Sequence, residues 1–222
     1  MQQSTRPTTP TKNNPRETLL MAAACGLTFL SVALAFVAWG DNLGWQLSQL
    51  STYLVFPLFG LLAFSVMWSQ YIVGATKRYL GLAPAVIKRY FDISGLVILT
   101  AILLHPGLLI AQRYHDGYGL PPGSYESYVA PMQKWIVILG SLSLLMFLAY
   151  ELKRWYGQTT WWKYIVALND VAILAIFYHG LQLGQDLGHT WYRGVWYFYG
   201  LTLVPVLLYK YWHAWQSRER VE

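Results

Sequence analysis

The chain has 222 residues, 55% hydrophobic and only 12% charged, whereas a soluble domain averages about 25% charged residues. Aromatics make up 17%, with 11 Trp and 17 Tyr, so the composition excludes an ordinary soluble domain and reads as an integral membrane protein with aromatic belts. The net charge of +6, from 16 basic and 10 acidic residues, follows from where the basic residues lie and calls for no nucleic acid.

The first 17 residues are rich in Thr, Pro, Asn, Gln and Ser. They read as a disordered cytoplasmic tail. The apolar run that follows is longer than a signal-peptide core, so it is expected to be a retained first span. Six spans are predicted, over about 18–40, 51–76, 90–112, 131–153, 162–184 and 194–215. The whole of 18–215 is then one all-α, six-helix transmembrane domain, and 216–222 a short cytoplasmic tail. Cys25 lies in an apolar run and is expected to be a small core residue; a lone cysteine excludes an intrachain disulfide and a thiolate cluster.

Orientation comes from Lys and Arg. One side of the predicted bundle holds Arg6, Lys12, Arg16, Lys77, Arg78, Lys88, Arg89, Lys153, Arg154, Lys163, Lys210, Arg218 and Arg220, and the other holds Arg113, Lys134 and Arg193. A split of 13 to 3 among the 16 basic residues predicts cytoplasmic N and C termini in a multi-pass protein of a prokaryotic plasma membrane. Trp39, Trp45, Tyr79, Tyr90, Trp135, Trp155, Trp161, Trp162, Trp191, Tyr192, Trp196 and Trp212 fall near predicted span ends and are expected to be interface anchors. Pro57, Pro106 and Pro205 lie inside or near the ends of spans, where each removes one backbone donor.

Spans three and five carry one histidine each, His105 and His179. A polar ring in hydrocarbon is costly and marks a functional site by default. His105 follows Tyr90 by fifteen residues and His179 follows Trp162 by seventeen, placing them about 22 and 26 Å from the inner helix ends. Two parallel helices can thus present two rings at similar depth, the geometry of a haem iron with two axial histidines. The other reading is that each ring merely hydrogen-bonds a neighbouring carbonyl or Tyr. Gly107, Gly180 and Gly184 lie beside the histidines, where glycine would let a flat ring or a helix approach.

The stretch Phe59-Gly-Leu-Leu-Ala-Phe-Ser, the basic loop, and Lys88-Arg89-Tyr-Phe-Asp-Ile-Ser-Gly-Leu running on to Leu104-His105 resemble the ferric-reductase-like transmembrane domain. That family includes bacterial haem subunits of membrane redox systems, NADPH oxidases and six-transmembrane metalloreductases. The resemblance covers about residues 50–185. It implies a b-type haem held by His105 and His179. It also implies a single haem, because the positions of the inner histidines of two-haem members hold Phe91, Val166 and Ile165. The fused flavin and nicotinamide domains of larger members have no counterpart, so a separate donor or acceptor protein, or a quinone, is implied.

His115 and His189 form a second pair, ten residues beyond the first. They read either as a metal or substrate site above the haem or as two solvated loop residues. His213, near the inner end of span six, reads as interfacial. Asp92, Asn169 and Asp170, with Lys163 nearby, form a candidate inner site for a flavin, a quinone or a proton relay. The alternative is that the carboxylates are structural ion-pair partners of Lys163 or Arg89. No nucleophile–base arrangement, paired carboxylates or phosphate loop supports hydrolase chemistry. The sequence therefore reads as a membrane b-type cytochrome that transfers electrons, the haem-containing component of a transmembrane oxidoreductase. The rival is a cofactor-free membrane transporter or scaffold.

Overall fold

Six long helices account for the fold in the computed structural model, which describes residues 15–125, 127–156, 162–188 and 190–219. They are α1 (Pro15–Asn42), α2 (Thr52–Tyr79), α3 (Lys88–His115), α4 (Lys134–Tyr156), α5 (Trp162–Leu183) and α6 (Tyr192–Glu219). Short 3-10 turns punctuate the connections, and no strand occurs among the described residues. The helices overrun most of the apolar runs by a few residues at one or both ends, because backbone hydrogen bonding continues into the polar flanks after hydropathy has fallen. Residues 15–17 of the expected tail accordingly belong to α1, and 216–219 to α6. Residues 1–14 and 220–222 of the tails lie outside the described residues.

Five of the helices, all but α6, are long and apolar enough to cross a membrane. The sixth has 28 residues and owes its lower hydropathy to Tyr and Trp, which are amphipathic rather than polar. Its Phe198, Leu201, Val204 and Leu208 are exposed at helical spacing, Leu201 by 75%. The same inversion holds on α1, α3, α4 and α5, where Phe29, Leu96, Ile138 and Val171 all face outward. Exposed apolar stripes on helix after helix are what contact with a lipid bilayer requires, and the chain is an integral, multi-pass membrane protein.

The centre of the bundle is α2, in contact with α1, α3, α5 and α6. Phe64 stacks on Trp196 at 4.2 Å between ring centroids, and Trp68 lies against Tyr199 at 4.2 Å. Lipid is as apolar as these side chains, so close packing and interhelical hydrogen bonds hold the helices together. Thr28 of α1, Ser69 of α2 and Tyr90 of α3 bond one another at 2.8–3.0 Å. Ser65 meets the Tyr192 hydroxyl at 3.2 Å, and the Trp68 indole donates to Thr202 at 2.8 Å.

This network corrects part of the expected aromatic belt. Trp39, Tyr90, Tyr192 and Trp196 are buried, whereas Trp45, Tyr79, Trp135, Trp191 and Trp212 are exposed as anchors should be. The buried rings fill interhelical space, and their polar tips find partners there: Trp39 donates to the Leu54 carbonyl at 2.6 Å, and Trp196 to the Phe177 carbonyl at 3.0 Å. Trp161 lies outside the described residues, as do the side chains of Trp155 and Trp162. Cys25 is exposed rather than buried, because the residues α1 buries are mostly small, Ala24 and Ala35 among them, and Cys25 faces away from them.

Candidate functional site between two histidine hairpins

The ring of His105 lies against α2. Its Nδ1 is 2.9 Å from the Phe56 carbonyl oxygen, and a Cβ on Gly60 would sit 2.9 Å from both Cε1 and Nδ1 of the ring. The ring of His179 lies in the same way against α4. Its Nδ1 is 2.9 Å from the Ile136 carbonyl oxygen, and a Cβ on Gly140 would sit 2.7 Å from Cε1 and 2.8 Å from Nδ1. In both hairpins the accepting carbonyl is four residues before the glycine, one helical turn away on the same face. Only glycine leaves room for an imidazole to lie this close to a neighbouring helix.

The bond to a carbonyl fixes the chemistry of the ring. A carbonyl oxygen accepts and cannot donate, so Nδ1 carries the proton and the lone pair of the neutral ring is on Nε2. Neither Nε2 has a hydrogen-bond partner among the described residues, and both residues remain partly exposed. A histidine whose Nδ1 proton is tied to a carbonyl has its tautomer and ring plane fixed, and offers Nε2 to a metal. His179 is near enough to His105 to interact with it electrostatically, although α3 and α5 make no extended contact with each other. Two oriented imidazoles on helices that are not packed together are compatible with a flat group between them.

No three metal-ligating side chains cluster among the described residues. The arrangement does not fit a structural zinc site, which takes four protein ligands. A bis-imidazole haem takes only two, and the rings present fit that demand.

The remaining expected residues fall elsewhere. A Cβ on Gly180 would meet the Trp196 ring at 2.6 Å, and one on Gly184 would meet the Gly180 carbonyl oxygen at 2.6 Å and Leu187 at 3.2 Å. These two glycines close the end of α5 against α6 and the following turn. Gly107 borders open space. The glycines that touch the histidines, Gly60 and Gly140, lie on the partner helices. The sequence signal was a glycine about two and a half turns into each neighbouring span, visible only once hairpin register is known.

His115 is exposed, and its Nδ1 is 3.5 Å from Asp116; His189 lies outside the described residues. Tyr53 and Gln112 also donate to Asp116, at 2.6 and 2.8 Å, and these bonds hold its carboxyl below the usual range, with the Tyr53 bond the largest cause. His213 lies beside Tyr209 near the C-terminal end of α6, with ring centroids 5.9 Å apart and tilted.

Asp170, expected beside Lys163, has other partners. Asp170 is buried and receives Lys210 at 2.5 Å, Tyr211 at 2.7 Å and Tyr71 at 2.7 Å. Asn169 donates to the Tyr71 hydroxyl at 3.0 Å. The counter-ion is thus Lys210 of α6 rather than Lys163, whose ammonium sits over the Tyr164 ring of its own helix. Asp92 pairs with Lys88 at 2.5 Å, one turn away on α3. No family model, curated protein or solved structure matches this chain.

Proposed function

We propose that the chain is a membrane b-type cytochrome, with one haem held between His105 and His179. The observation that carries this reading is the paired geometry. Two imidazoles on different helices are each locked by a carbonyl through Nδ1 and each cradled by a glycine, with neither Nε2 partnered among the described residues. A purely structural histidine needs a hydrogen bond, but it does not need the same orientation and the same cradle twice. The haem supplies a one-electron couple, and the protein sets its access and potential. The resemblance to ferric-reductase-like membrane subunits points the same way. The charge asymmetry favours six spans with both termini cytoplasmic, in a prokaryotic plasma membrane.

The rings lie about 15 Å from the outer end of α3 and about 6 Å from that of α5, by the helical rise. Electron exchange with a separate protein or quinone is therefore shorter from the outer face than from the inner one. A flavin or quinone head at Asp170 would have to displace Lys210, Tyr71 or Tyr211 from the carboxylate. We assign the inner cluster to holding helices together, and the proposed electron path does not use it.

The test is a reduced-minus-oxidised spectrum of the purified protein. A Soret shift and a sharp alpha band, lost in both His105→Ala and His179→Ala but kept in His115→Ala, are the expected result. Colourless protein from haem-replete cells would overturn the reading in favour of a cofactor-free transporter or scaffold.

A further inference from the structure

Arg113, in the last turn of α3, is 5% exposed, yet no carboxylate among the described residues pairs with it. Its Nη2 donates to the Ser124 carbonyl at 3.0 Å and to the Ser127 hydroxyl. Its guanidinium lies 3.5 Å over the Tyr118 ring and 5.7 Å from that of Tyr128. Two buried donors in this nest have no partner among the described residues: Arg113 Nε and the Ser124 hydroxyl. The nearest acid along the helix, Asp116, is engaged by Tyr53, Gln112 and His115. The outer cation Arg193, by contrast, spends its guanidinium on the Leu187 and Gly188 carbonyls and the Tyr197 hydroxyl.

A buried charge without a counter-charge is costly, and unspent buried donors beside it add to the cost. Both costs vanish if an anion occupies the nest. The position says which anion. Arg113 follows His105 by eight residues, about 12 Å higher on α3 and about 80° around it. The two are linked by contact: Tyr128 lies edge-on to Phe56 at 6.2 Å, Phe56 lies 5.2 Å from the His105 ring, and the Phe56 carbonyl holds His105 Nδ1. The nest thus sits directly outside the histidine site, at the depth where a ligand between the rings would carry its polar edge toward water.

We infer that Arg113, with the Ser124 hydroxyl beside it, receives a carboxylate of the group held by the two histidines, namely a propionate of the haem; the inference rests on the function proposed above. Arginine suits the task because its planar fork matches a carboxylate and stays charged when buried. Occupied in this way, the 113–130 connection is fastened over the site by the ligand's own charge. Arg113 then contributes to ligand retention and to the redox potential, since a guanidinium at the propionate favours the anion and opposes the ferric charge less once neutralised.

The experiment compares haem with its dimethyl ester, in which both carboxylates are masked. Protein produced in haem-deficient cells and purified in detergent is titrated with each, following the Soret band. The unmodified protein should bind haem at least about tenfold more tightly than the ester, the low end for a hydrogen bond to a charged group. Arg113→Met should bind the two alike, at the weaker level, and Arg113→Lys should recover part of the preference. Glu126→Gln should leave it intact. Equal binding of haem and ester by the unmodified protein would overturn the assignment of Arg113 while leaving the haem reading standing. So would a loss in Glu126→Gln as large as in Arg113→Met, because the guanidinium would then be paired within its own loop. No Soret band with either ligand would overturn both. The ester comparison is made on the unmodified chain, so it decides the matter even if Arg113→Met does not fold.

Discussion

In α2–α3 the histidine ring lies against Gly60 and donates to the Phe56 carbonyl, and in α4–α5 the ring lies against Gly140 and donates to the Ile136 carbonyl. The same local device is set into two different surroundings. The first hairpin is the middle of the molecule: α2 contacts four other helices and buries Phe64, Trp68, Ser65 and Ser69 among them. The second hangs at the edge. Among the described residues, α4 has extended contact only with α5, and α5 reaches the rest of the bundle through small contacts with α6 and α2. One histidine is therefore held by a packed core. The other is held more lightly: only Phe147, Ala172 and Ile173 among the buried residues described join that core from α4 and α5, and the main ties beside them are the Asp170 cluster, the Phe177–Trp196 contact, and the turn after α5. A ligand bound between a fixed wall and a tethered one would have its affinity set by the tethered one.

The largest way to break this contrast is at Asp170. Removing one partner of a buried ion pair leaves an uncompensated charge and costs about 3–5 kcal/mol. Asp170→Ala strands Lys210 and takes an acceptor from Tyr71 and Tyr211. Hydrogen exchange should show α4 and α5 losing protection while α2 and α3 keep theirs, and haem content should fall because His179 is no longer fixed. The double change Asp170→Leu with Lys210→Leu should recover much of the loss. If α2–α3 loosens as much as α4–α5, the two hairpins are one cooperative unit and the contrast fails.

The glycines sharpen the comparison at lower cost. Gly60→Ala and Gly140→Ala each force a Cβ within 3 Å of an imidazole, and overpacking of this kind costs about 1–3 kcal/mol. The wall at Gly60 cannot yield, so His105 must turn away from the Phe56 carbonyl. The hairpin at Gly140 can part slightly. Gly60→Ala should therefore lower haem content more than Gly140→Ala does, even though the ring approaches Gly140 slightly more closely. Equal losses, measured as haem per protein, would mean that the second hairpin is as rigid as the first.

Much of this was legible in the chain and some of it was not. Apolar runs set the helices because a span must satisfy its own backbone, and the two histidines stood out because polar rings are rare in hydrocarbon. Pairing between helices was out of reach. Nothing near Asp170 in sequence points to Lys210, forty residues on, whereas Lys163 is closer along the chain but lies about two turns away on the same helix. Gly60 and Gly140 are ordinary small residues until antiparallel register sets each beside a ring. Arg113 reads as one of three outer charges, and only its burial and its unspent donor mark it out.

The smallest effect concerns the third tie of the second hairpin, the turn after α5. Asp186 is buried there, one carboxylate oxygen has no partner among the described residues, and the Thr190 hydroxyl bonds the residue's backbone carbonyl instead of its side chain. Burial pushes its carboxyl above the usual range, opposed in part by a hydrogen bond from Asn42. The folded value is thus above the unfolded one, near 4 for a free carboxylate. Its contribution to stability is fully present below the unfolded value and is lost as pH rises through the folded one. Once ionised, the half-satisfied carboxylate pulls against the tie. Asp186→Asn should remove that cost while keeping an acceptor for Asn42, a gain of about 1 kcal/mol, the low end for a buried unsatisfied group. Thermal unfolding in detergent should show the variant ahead of the parent at pH 8 and the two converging as pH falls toward 4. A difference that stays constant over this range would show that the carboxylate does not titrate between the two states, and that the turn after α5 restrains the second hairpin through packing alone.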